Sequence, residues 1–384
     1  MTLTDRLLSP WLSNDAGGLV IAALLVLLSG VAHALGAPVG LPWLLFALSV
    51  LLAAGAVRHL LHVRKVLRQY PAPGRRVDAG GLRLHLLAEG QAHGGRPTVV
   101  WFAGGHVGGT PMAFLHRALR EHTRSILLDR AATGWSDVGP FPRTTAGEAE
   151  ECWRALDSAG EAGPFILAGH SFGGLLAANM ARRQPQRVHS VVLLDATPPD
   201  TIIFGPRLAN LKLMSRLAFA SGIARLFGIH DTPWERAHRE QPAYADVMKA
   251  VNATMGGDVQ ISRALDALAR NHFASASIFR ELTPEGMAAC AWQTAVYEGD
   301  LDPLHVLLVA PGESESDIGV LPEMQAAGES EAKRMQRFFP RTRERYMTTS
   351  SRAERVIAPA GTGHNFIYEQ PQFVIDLIRG LLDR

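Results

Sequence analysis

Gly169-His170-Ser171-Phe172-Gly173-Gly174 is the stretch that most restricts how this chain can fold. Before it, Pro164 to Ala168 is a short apolar run of strand character; after it, Leu175 to Ala181 has the composition of a helix. A strand that turns at once into a helix is too tight for side chains at the crowded positions, which the glycines here leave empty. Such a turn lifts the Ser171 hydroxyl to the end of a sheet. The unpaired N–H groups and the positive dipole end of the new helix lie beside it. A glycine-rich turn with an incidental serine is the rival reading, and the partners available to Ser171 decide between the two.

The surrounding pattern is that of a layered α/β domain. Val77 to Leu87 alternates around Gly80-Gly81, as an antiparallel hairpin does. Thr98 to Ala103 is an apolar strand opening into Gly104-Gly105-His106-Val107-Gly108-Gly109, and Ser125 to Asp129 is the next strand. A helix is expected from about Ala146 to Ala159, and a further strand from Val188 to Asp195. Unbroken apolar strands alternating with helices predict a mostly parallel central sheet covered on both faces.

Ahead of this domain, Ala16 to Val57 contains no Asp, Glu, Lys or Arg. The Gly and Pro residues between Gly36 and Pro42 divide the run into Gly18 to Leu35 and Pro42 to Val57, each near the lower limit for crossing a bilayer. A signal peptide has a shorter apolar core that leads into a cleavage site; here a second apolar stretch follows. Neither stretch has the polar face expected of a buried hairpin in a soluble protein, the alternative reading. Arg58, Arg64, Lys65, Arg68, Arg75 and Arg76 come next, whereas the connecting turn is uncharged. The positive-inside rule then predicts a cell (inner) membrane protein with both termini and the catalytic domain in the cytoplasm. The basic stretch suits anionic headgroups. Tyr70-Pro71-Ala72-Pro73-Gly74 reads as a linker, so 1–74 is expected to be a membrane hairpin with a basic linker and 75–384 the catalytic domain.

Net charge is only +2, with 19% charged residues, and nothing points to nucleic acid. Cys152 and Cys290 are far apart and lack metal-ligand spacing, so neither a disulfide framework nor a metal is expected, and no organic cofactor is suggested.

Apolar strand, Gly-rich loop, Asp129-Arg130…Gly134-Trp135-Ser136-Asp137, the Ser171 turn and a late Gly363-His364 follow one another in a recognisable order. From Arg75 to Arg384 the chain resembles an α/β-hydrolase. The segment from Asp129 to Asp137 resembles that of a bacterial branch, some of whose members carry N-terminal membrane spans. The resemblance implies the α/β-hydrolase fold with a helical cap inserted at about 197–303. Periodicity there predicts helices over about 207–227, 234–255 and 259–273.

A Ser hydroxyl needs a base. His364 follows the apolar strand Arg355 to Ala358 and precedes a helix from Pro371 to Leu382, so it sits on a loop at the sheet's carboxyl end. The resemblance makes it the catalytic histidine. It also implies an oxyanion hole from the backbone N–H groups of Phe172 and Gly105. Ala103 departs from the family there, standing where a His is usual, and His106 is expected to line the wall. His170 is expected to be structural, since neighbouring side chains diverge at a sharp turn. Two positions compete for the acid. Asp195 ends the strand after the turn's helix, a rigid place from which to orient an imidazole. Glu315, in the loop after Val306 to Val309, matches the other family position, with Asp317 a third candidate. Asp195 is the expected acid.

The expected function is a membrane-anchored serine hydrolase cleaving an ester or related acyl bond through an acyl-enzyme. An amide, peptide or carbon–carbon bond hydrolase using the same triad is the near alternative. A catalytically inactive, membrane-tethered binding protein is the alternative of another class. Ser171 argues against dehalogenase or epoxide-hydrolase chemistry, which resembling families perform with Asp at that position. The expected partners are a small acyl substrate and the lipid bilayer; oligomeric state leaves no mark in the sequence.

Overall fold

The structure, a computed structural model, describes residues 15–91, 95–105, 108–140, 144–200, 220–233, 236–237, 240, 249, 293–312 and 342–384. Eight strands form one sheet: β1 (Arg75–Asp78), β2 (Arg83–Glu89), β3 (Thr98–Phe102), β4 (Ser125–Leu128), β5 (Phe165–His170), β6 (Val188–Leu194), β7 (His305–Ala310) and β8 (Ala353–Ile357). Their spatial order is β1-β2-β4-β3-β5-β6-β7-β8. β1 pairs with β2 and β2 with β4 antiparallel; every other pair is parallel. The Gly80-Gly81 turn joins β1 to β2 with both glycines at positive φ, 94° and 93°, a backbone that other residues rarely adopt.

Alternation along each strand divides the core in two. Val100, Phe102, Leu167, Val191 and Leu193 face one side, where Trp153 and Leu156 of one helix and Leu176 and Met180 of another cover them. Val99, Trp101, Ile166, Val192 and Val309 face the other side, against Met112, Leu115, Val374 and Ile378. The helices, in chain order, are α1 (Gly17–Ala34), α2 (Gly40–Gln69), α3 (Ala113–Leu119), α4 (Thr145–Ser158), α5 (Phe172–Arg183), α6 (Phe366–Glu369) and α7 (Pro371–Leu382). Thr144 caps α4 by accepting a hydrogen bond from the Gly147 N–H at 3.0 Å. At the sheet's end, β8 presents Glu354 and Arg355 to solvent, paired with Arg384 and Glu344 respectively.

α1 and α2 form a hairpin, each with a stretch of mean hydropathy 2.1 and long enough to cross a membrane. The Ser29 hydroxyl donates to the Pro42 carbonyl at 2.7 Å and the Ser49 hydroxyl to the Ala22 carbonyl at 2.9 Å, so the polar groups lie in the seam. Leu27, Leu28, Val31, Leu35, Trp43 and Leu44 face outward. α2 runs on without a break through the basic stretch to Gln69. What the sequence presents as a loose linker is docked: the Trp135 indole N–H donates to the Tyr70 carbonyl at 2.8 Å, and Trp135 packs on Val66.

Of the inserted region, residues 220–226 are helical, where a helix over 207–227 is expected; the expected helices at 234–255 and 259–273 lie almost wholly outside the described residues.

Candidate active site

β5 ends at His170 and α5 starts at Phe172, leaving Ser171 alone to make the turn. Its φ of 53° and ψ of −123° are costly for a residue with a Cβ, on the order of 1–3 kcal/mol. The surroundings hold it there. Its N–H donates to the Leu194 carbonyl at 3.0 Å, and its carbonyl accepts from the N–H groups of Gly174 at 3.0 Å and Thr197 at 2.9 Å. A Cβ on Gly173 would overlap the Phe102 carbonyl, and one on Gly169 the Gly173 carbonyl. A Cβ on Gly104 would stand 2.8 Å from the Ser171 Cβ, so the loop after β3 closes directly over the serine.

β6 lies beside β5 and ends at Leu194, so Asp195 emerges next to the turn. Asp195 also has positive φ, 43°, and its N–H donates to the Val309 carbonyl at 2.9 Å. Its Oδ2 is 2.5 Å from Nδ1 of His364. Its Oδ1 takes an ion pair from Arg343, itself only 5% exposed. With Nδ1–H donating to the carboxylate, the His364 tautomer leaves Nε2 as the proton acceptor. Burial lowers the His364 pKa to about 4 and the Arg343 charge acts in the same direction, although a quarter of the side chain is exposed. The adjacent carboxylate works against both. Neutral imidazole is therefore the resting form at neutral pH.

His170 does not diverge from the site. Its ring lies 4.7 Å from that of His364, and its Nε2–H donates to the His364 carbonyl at 2.8 Å. Burial drives its pKa down to about 3, with the neighbouring His364 adding to the effect. It is a neutral strut beneath the His364 loop.

The segment after β4 serves the other side of the serine. The Asp129 carboxylate accepts from the N–H groups of Gly109 at 2.5 Å and Trp135 at 3.1 Å, and from His85 Nδ1 at 2.8 Å. Gly134, at φ 50°, leaves no room for a Cβ against that carboxylate. Arg130, 2% exposed, pairs with Glu148 at 3.3 Å, donates to the Gly105 carbonyl and stacks 5.2 Å from the centre of the Phe172 ring. It thus touches both residues whose N–H groups are expected to face the oxyanion.

Ser171, Phe172, Gly105, Asp195 and His364 all fall among the described residues; His106, Glu315, Asp317 and Cys290 lie outside them. The structure brings His364 to Asp195 and sets the Gly104-Gly105 loop on Ser171. Arg343 is the residue that sequence reasoning missed; Arg130 stands in a segment that the sequence marks by resemblance, without a contact assigned to it. Arg343 stands in the run Arg341-Thr342-Arg343-Glu344-Arg345, which has the composition of a solvated surface. Among the described residues no group of three or more His, Cys, Asp or Glu side chains is arranged to hold a metal ion.

Residues 92–377 match the sequence profile of the Alpha/beta hydrolase family. The chain belongs to that family. Among curated relatives of this α/β-hydrolase, YbdG of Bacillus subtilis, itself uncharacterized, is 25% identical over 149 residues. That match covers 38% of this chain and 45% of YbdG, so the chain spans less than half of that relative. RutD of Agrobacterium fabrum, to which carbamate hydrolysis is provisionally attributed, is 27% identical over 193 residues, covering 48% of this chain and 71% of RutD. A solved structure of an epoxide hydrolase variant from Bacillus megaterium superposes with a TM-score of 0.54 at 13% identity, covering 81% of this chain and all (100%) of that one. At that identity the likeness concerns the fold alone.

Proposed function

We propose that this α/β-hydrolase is a membrane-anchored serine hydrolase that cleaves an ester or related acyl bond. Membership in a family of hydrolases supports the hydrolytic class. The observation that carries the serine mechanism is the 2.5 Å contact between His364 Nδ1 and Asp195 Oδ2, made at the end of the strand beside the Ser171 turn.

In this mechanism His364 Nε2 takes the Ser171 proton as Oγ attacks the substrate carbonyl carbon. Asp195 holds the imidazole tautomer and stabilises the imidazolium, while Arg343 fixes the carboxylate. Negative charge develops on the carbonyl oxygen, toward the N–H groups of Phe172 and Gly105. The former is at the first position of α5, where a helix leaves its N–H without an internal acceptor. The imidazolium returns its proton to the leaving alcohol, giving an acyl-Ser171. A water, deprotonated by His364, then releases the acid and restores Ser171. Arg130 acts as a positioning residue, holding the Gly105 carbonyl and the Phe172 ring so that both N–H groups keep their aim.

The outward apolar faces of α1 and α2 and the basic residues that follow support anchoring by the hairpin, with the catalytic domain cytoplasmic. Treatment of the full-length protein with a fluorophosphonate probe tests the chemistry. Covalent labelling should be lost in Ser171→Ala, and labelling that persists in that variant would rule out Ser171 as the nucleophile.

A further inference from the structure

The hairpin packs against the hydrolase domain along one buried apolar seam. Ala22 and Leu52 of the hairpin share a buried cluster with Leu226 of the inserted region and with Ala132 and Val138 of the loop after β4. The approach is at backbone distance. A Cβ on Gly55 would stand 2.5 Å from the Phe227 Cα, and one on Gly18 2.8 Å from the Ala56 Cβ and 3.5 Å from Leu226 Cδ2. Gly228, at φ 68°, turns the chain where a Cβ would stand 2.7 Å from the Gly55 carbonyl oxygen.

Each partner of the hairpin belongs to a part of the chain that also has a residue bonded at the Ser171 site. Ala132 is two residues from Arg130, which donates to the Gly105 carbonyl. The inserted region begins at Thr197, whose N–H donates to the Ser171 carbonyl at 2.9 Å.

Axial lengths fix where this seam lies. Ala22 stands twelve residues before Ala34, and Leu52 twelve after Gly40. At about 1.5 Å per residue, only ~18 Å of each helix projects beyond the seam. A hydrocarbon core is about 30 Å thick, so a hairpin that crosses it carries its packed base roughly 12 Å into the apolar layer. Polar groups start one turn beyond Gly55. Arg58 is followed by His59, whose Nδ1 is 2.9 Å from His230 Nε2 and whose Nε2 is 3.1 Å from Asp15. This layer sits where headgroups begin, and Ile229, next to it, is 49% exposed.

We propose that the hairpin seats the 220–230 segment and the loop after β4 in the bilayer surface, so that the Ser171 site draws its substrate from the membrane. The substrate class is a lipid-soluble, long-chain acyl ester. A long chain reaches such a site without exposing its methylenes to water, which disfavours them. This inference rests on Ser171 being the nucleophile and on the hairpin being the anchor.

The test uses the full-length protein reconstituted in phosphatidylcholine–phosphatidylglycerol vesicles, with two substrates: water-soluble p-nitrophenyl butyrate and p-nitrophenyl palmitate dissolved in the vesicles. Gly55→Leu and Leu226→Asp each separate the seam, one from either side. Both variants should keep butyrate hydrolysis within about twofold and lose palmitate hydrolysis by about tenfold or more. An unchanged palmitate-to-butyrate ratio in both variants, whether the two rates hold or fall together, overturns the proposal. A wild-type protein that cleaves neither ester and escapes fluorophosphonate labelling would instead refute the serine reading beneath it. Depth is read independently from a fluorophore on Ile229→Cys, in a background with Cys152 and Cys290 replaced by Ala. Quenching by a nitroxide on the lipid is expected, and quenching by aqueous iodide alone overturns the placement.

Discussion

Asp195 carries two obligations, one oxygen to His364 and one to Arg343, and each yields a measurable outcome. Asp195→Asn keeps its size and removes the charge that holds the imidazole. Turnover of a soluble ester should fall by about 10³–10⁴, the scale on which an amide replacing a triad carboxylate acts. Glu315→Gln should cost less than about tenfold, or ~1 kcal/mol. Exchanged losses would move the acid to the later loop. Burial lowers the His364 pKa, and the positive charge of Arg343 lowers it further. The base must be neutral to act, so kcat/KM should rise with pH through a midpoint below the ordinary imidazole value of ~6.5. Arg343→Met removes the opposing charge and should move that midpoint upward; a midpoint that stays or falls contradicts the assignment. Arg130→Met should lower kcat by about 10²–10³, as loss of oxyanion donors does, with little change in KM. It also removes the buried ion pair with Glu148, a loss that is destabilising. Adding Glu148→Leu should restore the melting temperature and leave kcat low, and recovery of kcat would make Arg130 merely structural. The sequence marks Ser171 and His364 as candidates because glycines and strand ends surround them. It hides Arg343 and the contacts of Arg130, because an arginine's burial depends on partners far along the chain and leaves no local pattern. His170 is hidden for the same reason: its partner is the carbonyl of His364, 194 positions away.

At the scale of elements, the glycines sort by what a methyl group would meet. Gly173, at the start of α5, abuts the Phe102 and Ala103 carbonyls, which are fixed in β3 and its loop. Gly173→Ala should destabilise the protein by about 1–3 kcal/mol, as overpacking does. Gly380, within α7, meets nothing within 4 Å, so Gly380→Ala should stabilise it by about 0.5–1 kcal/mol. Thermal unfolding of both variants checks the pair, and equal shifts would contradict the packing at the turn. Strands and helices were legible wherever an apolar period ran unbroken, as in β3, β5, β6 and α4. The docking of Tyr70 to Gly74 was not, because Pro and Gly report a break in regular structure and say nothing of what the broken chain lies against.

For the whole molecule, hairpin and hydrolase domain share cores, so cutting between them uncovers apolar surface. A fragment starting at Arg75 exposes Ala132, Trp135, Val138 and Leu226, all at most 8% exposed in the full chain. Such a fragment is expected to self-associate in sedimentation experiments, and Val138→Ser with Leu226→Ser to reduce the association. A monomeric wild-type fragment that melts as sharply as the full chain would show that the seam contributes little.

Tethering to a bilayer also confines copies of a protein to two dimensions, where encounters between neighbours are frequent and their orientations are shared. A bare sheet edge would then be a hazard, since parallel neighbours could zip together through unpaired backbone groups. β8 closes that route with outward Glu354 and Arg355, each engaged by an opposite charge of its own chain. If the hairpin anchors the chain as proposed, crowding at the membrane can therefore raise its local density without recruiting the β8 edge into a ribbon.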